Sequence, residues 1–206
     1  GEVGGKNSTS EELKAFMDGY LGILGGKIKG ISKLSIQTGT SHGGVPLPDG
    51  SIAKVKVDFD TIEKLSAMAR RDYGLAGVVQ HGASTLPDDA FDIFTKKGAA
   101  EVHLATGFQN LVYESKAFPI SLKEEMYSYL RTACASEKKE GETDEQFIYK
   151  TRKKAFGPFK EKVWNMPKDN KAKIGAELED RFDLIFKKFN SINTLDVVKK
   201  WVPEAK

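Results

Sequence analysis

Leu75-Ala76-Gly77-Val78-Val79-Gln80 is a short, nearly all-apolar run that ends directly on His81-Gly82-Ala83-Ser84-Thr85. Its length and apolar character read as a buried strand, and a strand apolar on both faces belongs in a parallel sheet covered on both sides. The neighbouring stretches repeat the plan. Upstream, Lys33-Leu34-Ser35-Ile36-Gln37-Thr38-Gly39 reads as a strand running into a polar, glycine-rich loop that carries His42. Downstream, Glu101-Val102-His103-Leu104-Ala105-Thr106 reads as a third strand with His103 inside it. Helical patterns separate them: Phe59, Ile62, Leu65, Met68 and Ala69 precede a stop at Gly74, and Asp88 to Lys97 lies between Pro87 and Gly98. Strands alternating with helices predict right-handed βαβ units and an α/β fold.

Working outward, Ser8-Thr9-Ser10-Glu11-Glu12 is a helix-start signature, with hydroxyls followed by Glu three residues later. Leu13, Phe16, Met17, Tyr20 and Leu21 then recur at helical spacing up to Gly25-Gly26. Past Pro119 the pattern becomes all-helical, with Leu122 to Ala135, Asp144 to Phe156, Phe159 to Trp164 and Lys171 to Phe189. The second and third are separated near Gly157-Pro158, because proline removes a backbone donor. Ser136 to Thr143 is the expected flexible connection. The resulting division is an α/β region over residues 1–115 and a helical extension over 116–206.

The chain has 206 residues, 39% hydrophobic and 30% charged, with 20 Gly and 7 Pro, which excludes collagenous and wholly disordered classes. No apolar run reaches the roughly 20 residues that span a bilayer, so no membrane partner is expected. One cysteine, Cys134, makes neither an internal disulfide nor a cysteine zinc site, and it points to a reducing, cytoplasmic setting. Residues 1–115 carry a net −2 and residues 116–206 a net +5. Acids are interleaved through the basic half, as on solvated helix faces, and no nucleic-acid partner is expected. The opening Gly1-Glu2-Val3-Gly4-Gly5 has no initiator methionine or leader, which suggests a segment in front of it.

The three histidines fall in or just after the expected strands. In parallel α/β folds, ligands and catalytic groups gather at the C-terminal ends of strands, where the βα loops converge. His42 and His81 are each followed by glycine and sit beside Gly39-Thr40-Ser41 and Gly82-Ala83-Ser84-Thr85. Such loops expose N–H groups and hydroxyls to an anion. A hydrogen-bonded core histidine and a metal ligand are both open readings at this point. Two histidines beside two such loops suggest a metal next to a phosphorylated substrate.

Gly39-Thr40-Ser41-His42-Gly43, Val57-Asp58-Phe59-Asp60, Gln80-His81-Gly82-Ala83-Ser84 and Gly98 to Thr106 together resemble the C-terminal half of class II, metal-dependent fructose-bisphosphate aldolases. Glu2-Val3-Gly4-Gly5 and Tyr149 to Ala155 resemble that family more loosely. The resemblance implies the C-terminal half of a (β/α)8 TIM barrel with additional C-terminal helices. It implies reversible aldol cleavage of a ketose bisphosphate, fructose 1,6-bisphosphate or a close relative, to dihydroxyacetone phosphate and an aldehyde. The implied metal is zinc, with a monovalent cation as a further ion. His42 and His81 match two of the three zinc histidines, and Glu2 matches a glutamate that holds the metal in an alternative position. Zinc would polarise the substrate carbonyl and stabilise the enediolate.

Gly43, Gly82, Ala83 and Ser84 match positions that bind the dihydroxyacetone phosphate end. His103, Leu104, Ala105 and Thr106 match a stretch lining substrate, and Arg152 matches a contact to the second phosphate. The chain departs from the family where Asn and Asp are usual, at His103 and Ala105. His103 is open to two readings: a hydrogen-bond donor to the enediolate oxygen, or a buried structural residue. The family's first zinc histidine and catalytic aspartate precede the segment matching Glu2, so the base is expected in an N-terminal half of the same barrel. That half, a homo-oligomer and a sugar-phosphate substrate are the expected partners. The alternative is a non-catalytic barrel homologue that binds a sugar phosphate or serves as a subunit of another assembly.

Overall fold

The computed structural model describes residues 6–40, 46–48, 51, 53 and 57–202. The chain is α/β, with one three-stranded parallel sheet in the order β1 (Leu34–Ser35), β2 (Val78–Gln80), β3 (Glu101–Val102). Leu34 pairs with Val78, Ser35 with Val79, Val79 with Glu101 and Gln80 with Val102. The ladder extends past these short strands through Ile36 N–H to the Val79 carbonyl at 3.3 Å and His103 N–H to the Gln80 carbonyl at 2.8 Å.

Alternation along the strands separates two faces. Leu34, Ile36, Val78, Val102 and Leu104 join the core, together with Leu13 and Met17 of helix α1 (Ser10–Leu24) and Ile62, Leu65 and Ala69 of α2 (Phe59–Tyr73). Phe91 and Phe94 of α3 (Phe91–Lys96) close the same cluster. The opposite face carries Ser35, Glu101 and His103, of which Ser35 and His103 are exposed. The expectation of strands apolar on both faces is therefore corrected: only β2 is buried along its whole length. β1 and β3 have one apolar face and one polar face, because their neighbours Lys33, Ser35, Glu101 and His103 need solvent or charged partners.

Local chemistry sets the helix bounds. Thr9 and Glu12 form a reciprocal capping box at the start of α1, and the Asp58 carboxylate accepts the Thr61 N–H at 3.0 Å at the start of α2. The segment from Asp88 opens as a 3-10 turn, Asp88–Ala90, before α3. The third strand is shorter than its expected span, since Thr106 already begins α4 (Thr106–Glu114). The Ser84 hydroxyl accepts the Ala105 N–H at 2.9 Å and so takes that donor away from any continuing ladder.

The remaining helices are α5 (Ile120–Ala133), α6 (Asp144–Thr151), α7 (Lys160–Trp164), α8 (Lys168–Lys188) and α9 (Leu195–Trp201). The connection before α6 is structured at both ends, by a 3-10 turn at Ala135–Glu137 and a capping box between Thr143 and Gln146. A second cluster of buried apolar residues, including Tyr113, Met126, Leu130, Phe147 and Ile174, holds α4, α5, α6 and α8 together. Burying a side chain of this size is worth about 1.5–3 kcal/mol. Helix α8 also reaches back to the first cluster, where the Arg181 guanidinium lies 5.5 Å from the Phe91 ring centre. No helix among the described residues is long and apolar enough to cross a membrane.

Candidate functional site at the C-terminal ends of the strands

The pairing of Gln80 with Val102 brings the residues after β2 and β3 side by side. The His81 and His103 rings consequently sit 4.3 Å apart between centroids, at 58°. His103 Nε2 donates to the Glu101 carboxylate, whose other oxygen takes the Lys33 ammonium. The hydrogen bonds from Lys33 first, and from His103 second, hold the Glu101 carboxyl below the usual carboxylate range. Lys33, Glu101, His103 and His81 form a continuous polar line on the polar face of the sheet. Neither Lys33 nor Glu101 was among the residues singled out from sequence; their period-two spacing from Ser35 and His103 was the available signal.

Behind that line is a buried polar network. The Thr38 hydroxyl donates to Gln80 Oε1 at 2.8 Å, and Gln80 Nε2 donates to Thr40 Oγ1 at 3.0 Å. The Thr40 hydroxyl donates to the His81 carbonyl at 2.8 Å, and Gln80 Nε2 reaches the same carbonyl. Thr38, Thr40 and Gln80 are all buried. The network ties the backbone of His81 to the end of β1, as a residue presented for binding requires.

The chain before α1 is anchored at the same end. Ser8 and Gln37 exchange two hydrogen bonds at 2.9 Å, Ser8 N–H to the Gln37 carbonyl and Gln37 N–H to Ser8 Oγ. Asn7 Nδ2 donates to Asp58 Oδ2 at 2.6 Å. The Thr61 N–H, ahead of the Asn7 amide, holds the Asp58 carboxyl below its ordinary value. A cleft of about 640 Å3 opens here between Asn7, Thr38, Gly39 and Asp58.

Residues of the loop after β2 have separate tasks. Gly82 takes φ +70°, which a side chain rarely adopts, and turns the chain away from the sheet. Ala83 is fully buried in the core cluster. Ser84 faces the start of α4, and a Cβ at Gly107 would lie 2.8 Å from the Ser84 carbonyl oxygen. Ala105 and Thr106 therefore stand against Ser84, while Leu104 turns into the core.

Two clefts flank α4. One, of about 670 Å3, is bounded by Ser84, Thr85, Gly107, Glu177 and Arg181. Thr85 Oγ1 is buried there with no hydrogen-bond partner among the described residues. The other, of about 620 Å3, contains Arg131, Tyr149 and Arg152. Asn110 and Glu114 line both.

Arg152 is only 7% exposed. Its guanidinium donates to Asn110 Oδ1 at 2.5 Å and Glu114 Oε1 at 3.2 Å. It stands 4.6 Å from the Tyr149 ring centre and 5.3 Å from that of Tyr113. Asn110, which sequence reading passed over, thus orients both Arg152 and, through Nδ2 at 3.0 Å, the Tyr149 hydroxyl.

The structure brings His81, Gly82, Ser84, His103 and Ala105 to one end of the sheet and sets Arg152 beside α4. Glu2, His42 and Gly43 lie outside the described residues. Among the described residues no group of three His, Cys, Asp or Glu side chains could hold a metal ion. Neither a scan against protein-family models nor a search of curated proteins returns a match for this chain.

Proposed function

We propose that this chain is the C-terminal half of a zinc-dependent aldol lyase with a (β/α)8 barrel, acting on a ketose bisphosphate. The observation that carries the reading is the convergence of His81, His103, Gly82 and Ser84 at the C-terminal end of a parallel sheet. Imidazoles beside hydroxyl- and N–H-rich loops suit a carbonyl substrate with a phosphate arm. The expected zinc donors are His42, His81 and Glu2, together with a histidine from an N-terminal half. Of these, His81 is the described member, and its backbone is held as a ligand's should be. Bound zinc supplies Lewis-acid polarisation of the substrate carbonyl.

The chain's own residues bind and orient. Ser84 and the first turn of α4 at Thr106 offer donors to the phosphate of the dihydroxyacetone phosphate end. His103, held by Glu101, offers an imidazole edge to the sugar portion where the family uses asparagine. Arg152 offers its charge to the second phosphate from beside Asn110. The polar face of the sheet, with Lys33 and Glu101 paired across it, has the character of a barrel interior. The outer edges of β1 and β3 fit further strands, contributed by an N-terminal half of the barrel in a reducing, cytoplasmic compartment.

Metal analysis of the chain together with its N-terminal half tests the reading. Zinc should be retained by the parent protein and lost from both His42→Ala and His81→Ala; full zinc content in both variants would sink it. A second reading, a non-catalytic sugar-phosphate-binding homologue, is favoured by His103 and Ala105 standing where the family has Asn and Asp. It predicts phosphosugar binding without zinc and without aldol cleavage in the same preparation.

A further inference from the structure

Glu101 opens β3, and His103 follows two residues on, on the same side of the strand. The Glu101 carboxylate is shared: one oxygen takes the Lys33 ammonium and the other takes His103 Nε2. Paired with Lys33, Glu101 is ionised, and an ionised carboxylate only accepts hydrogen bonds. The proton of the second bond therefore sits on Nε2. A neutral His103 then carries its bare lone pair on Nδ1, the one ring nitrogen able to bind a cation.

This is the outer-sphere arrangement of a metal-bound histidine: one ring N–H goes to a carboxylate, which fixes the tautomer and raises the basicity of the other nitrogen. A proton-transfer dyad uses the same pair, and the neighbour decides between them. The His81 ring centre lies 4.3 Å from that of His103. Two imidazoles that share one zinc at about 2.0–2.1 Å each have centres roughly 4.5–5 Å apart, so a slight opening of the pair admits the ion. Both sides of the pair are fixed. The His81 carbonyl is held by Thr40 and Gln80, and the His103 N–H donates to the Gln80 carbonyl at 2.8 Å. Two imidazoles gathered at one point suit a borderline cation such as zinc.

We propose that His103 is itself a metal ligand in the substrate-free protein, through Nδ1, with Glu101 and Lys33 as the positioning pair behind it. This rests on the zinc reading above and adds a donor to it. The position is one where the related family has asparagine, whose carboxamide offers no such nitrogen. His42 and Glu2, the other donors expected from this chain, lie outside the described residues. The same imidazole edge serves the sugar portion once substrate occupies the site.

Zinc affinity measured against a competing chelator, on the chain together with its N-terminal half and without substrate, tests this. H103A should bind zinc about a hundredfold more weakly than the parent, and E101Q about tenfold more weakly, as loss of a ligand and of its outer-sphere partner require. The His103 side chain is 48% exposed, so H103A leaves the core intact and circular dichroism unchanged. With Co2+ in place of zinc, visible absorption reports the donor set directly: E101Q should keep the parent bands, and H103A should shift them. If H103A binds zinc as tightly as the parent and keeps its Co2+ bands, while H81A loses zinc, the assignment of His103 falls and the aldolase reading stands. A parent protein that holds no zinc overturns both. E101Q binding as tightly as the parent overturns the part given to Glu101.

Discussion

Thr38 and Gln80 meet across the β1–β2 pair, with the threonine hydroxyl donating to the glutamine carboxamide oxygen at 2.8 Å inside an otherwise apolar layer. The amide nitrogen of Gln80 continues to Thr40 and the His81 carbonyl, so one side chain serves three polar atoms. Buried polar groups of this kind hold position because leaving any one unpaired is costly. Gln80→Leu removes the hub while keeping the volume. It should destabilise the fold by about 1–3 kcal/mol, the cost of stranding a buried polar partner. Urea midpoints of the two proteins measure this directly, and an unchanged midpoint would remove the network from the account of His81.

The helices were legible because their signals are local. Thr9-Ser10-Glu11-Glu12 carries its own capping box, and Gly25 and Gly74 end α1 and α2 in left-handed conformations. The three strands were legible in place and order, but their extent was not. Val78-Val79 hides its alternation because both faces of β2 are buried, whereas Leu34-Ser35-Ile36-Gln37 and Glu101-Val102-His103-Leu104 alternate in the sequence itself. The closeness of His81 and His103 depends on the register of Gln80 with Val102, and the partners of Gln80 lie 40 and 42 residues away, beyond the reach of any local pattern. Helix α9 was missed because Leu195-Asp196-Val197-Val198-Lys199-Lys200-Trp201 is only two turns long, too short for a clear helical period, and buries none of its residues.

Glycine positions in two helices should respond in opposite directions. Alanine is favoured over glycine in a helix interior by about 1 kcal/mol. At Gly22 in α1 a Cβ meets nothing within 4 Å, and Gly22→Ala should stabilise by about 0.5–1 kcal/mol. At Gly107 in α4 the same Cβ would stand 2.8 Å from the Ser84 carbonyl oxygen, a backbone atom that cannot swing aside. Gly107→Ala should destabilise by about 1–3 kcal/mol, the usual cost of overpacking, and disturb the Ser84–Ala105 contact. Thermal melts of the pair, read for sign alone, decide the point.

Arg152 holds its place through geometry as much as charge. Its fork reaches Asn110 and Glu114 while its face lies near Tyr149 and Tyr113. A lysine keeps the charge but loses the planar fork and the stacking. Arg152→Lys should therefore cost about 1–2 kcal/mol, a lost hydrogen bond with part of a cation–π contact. Arg152→Met should cost more, since Asn110 then loses its charged donor. If lysine matched arginine in denaturant midpoint, the fork would not be what orders this end of α4.

Asp58 couples the fold to acid. It caps α2 through the Thr61 N–H and receives the Asn7 amide, and both interactions favour the carboxylate. Its folded pKa is thereby lowered, so its contribution is fully present above the unfolded value, near 4, and is lost as pH falls through the lower folded value. The same sign holds for Asp144, held down by the hydrogen bond from Arg131. Asp58→Ala should cost about 1 kcal/mol at neutral pH, the worth of an N-cap. Asparagine caps a helix nearly as well but does not titrate. Asp58→Asn should therefore unfold at nearly the parent urea midpoint at pH 7 and lose less of its stability between pH 5 and pH 2.5. Equal losses for parent and Asp58→Asn over that range would show that Asp58 is not the group through which protons destabilise this end of the sheet.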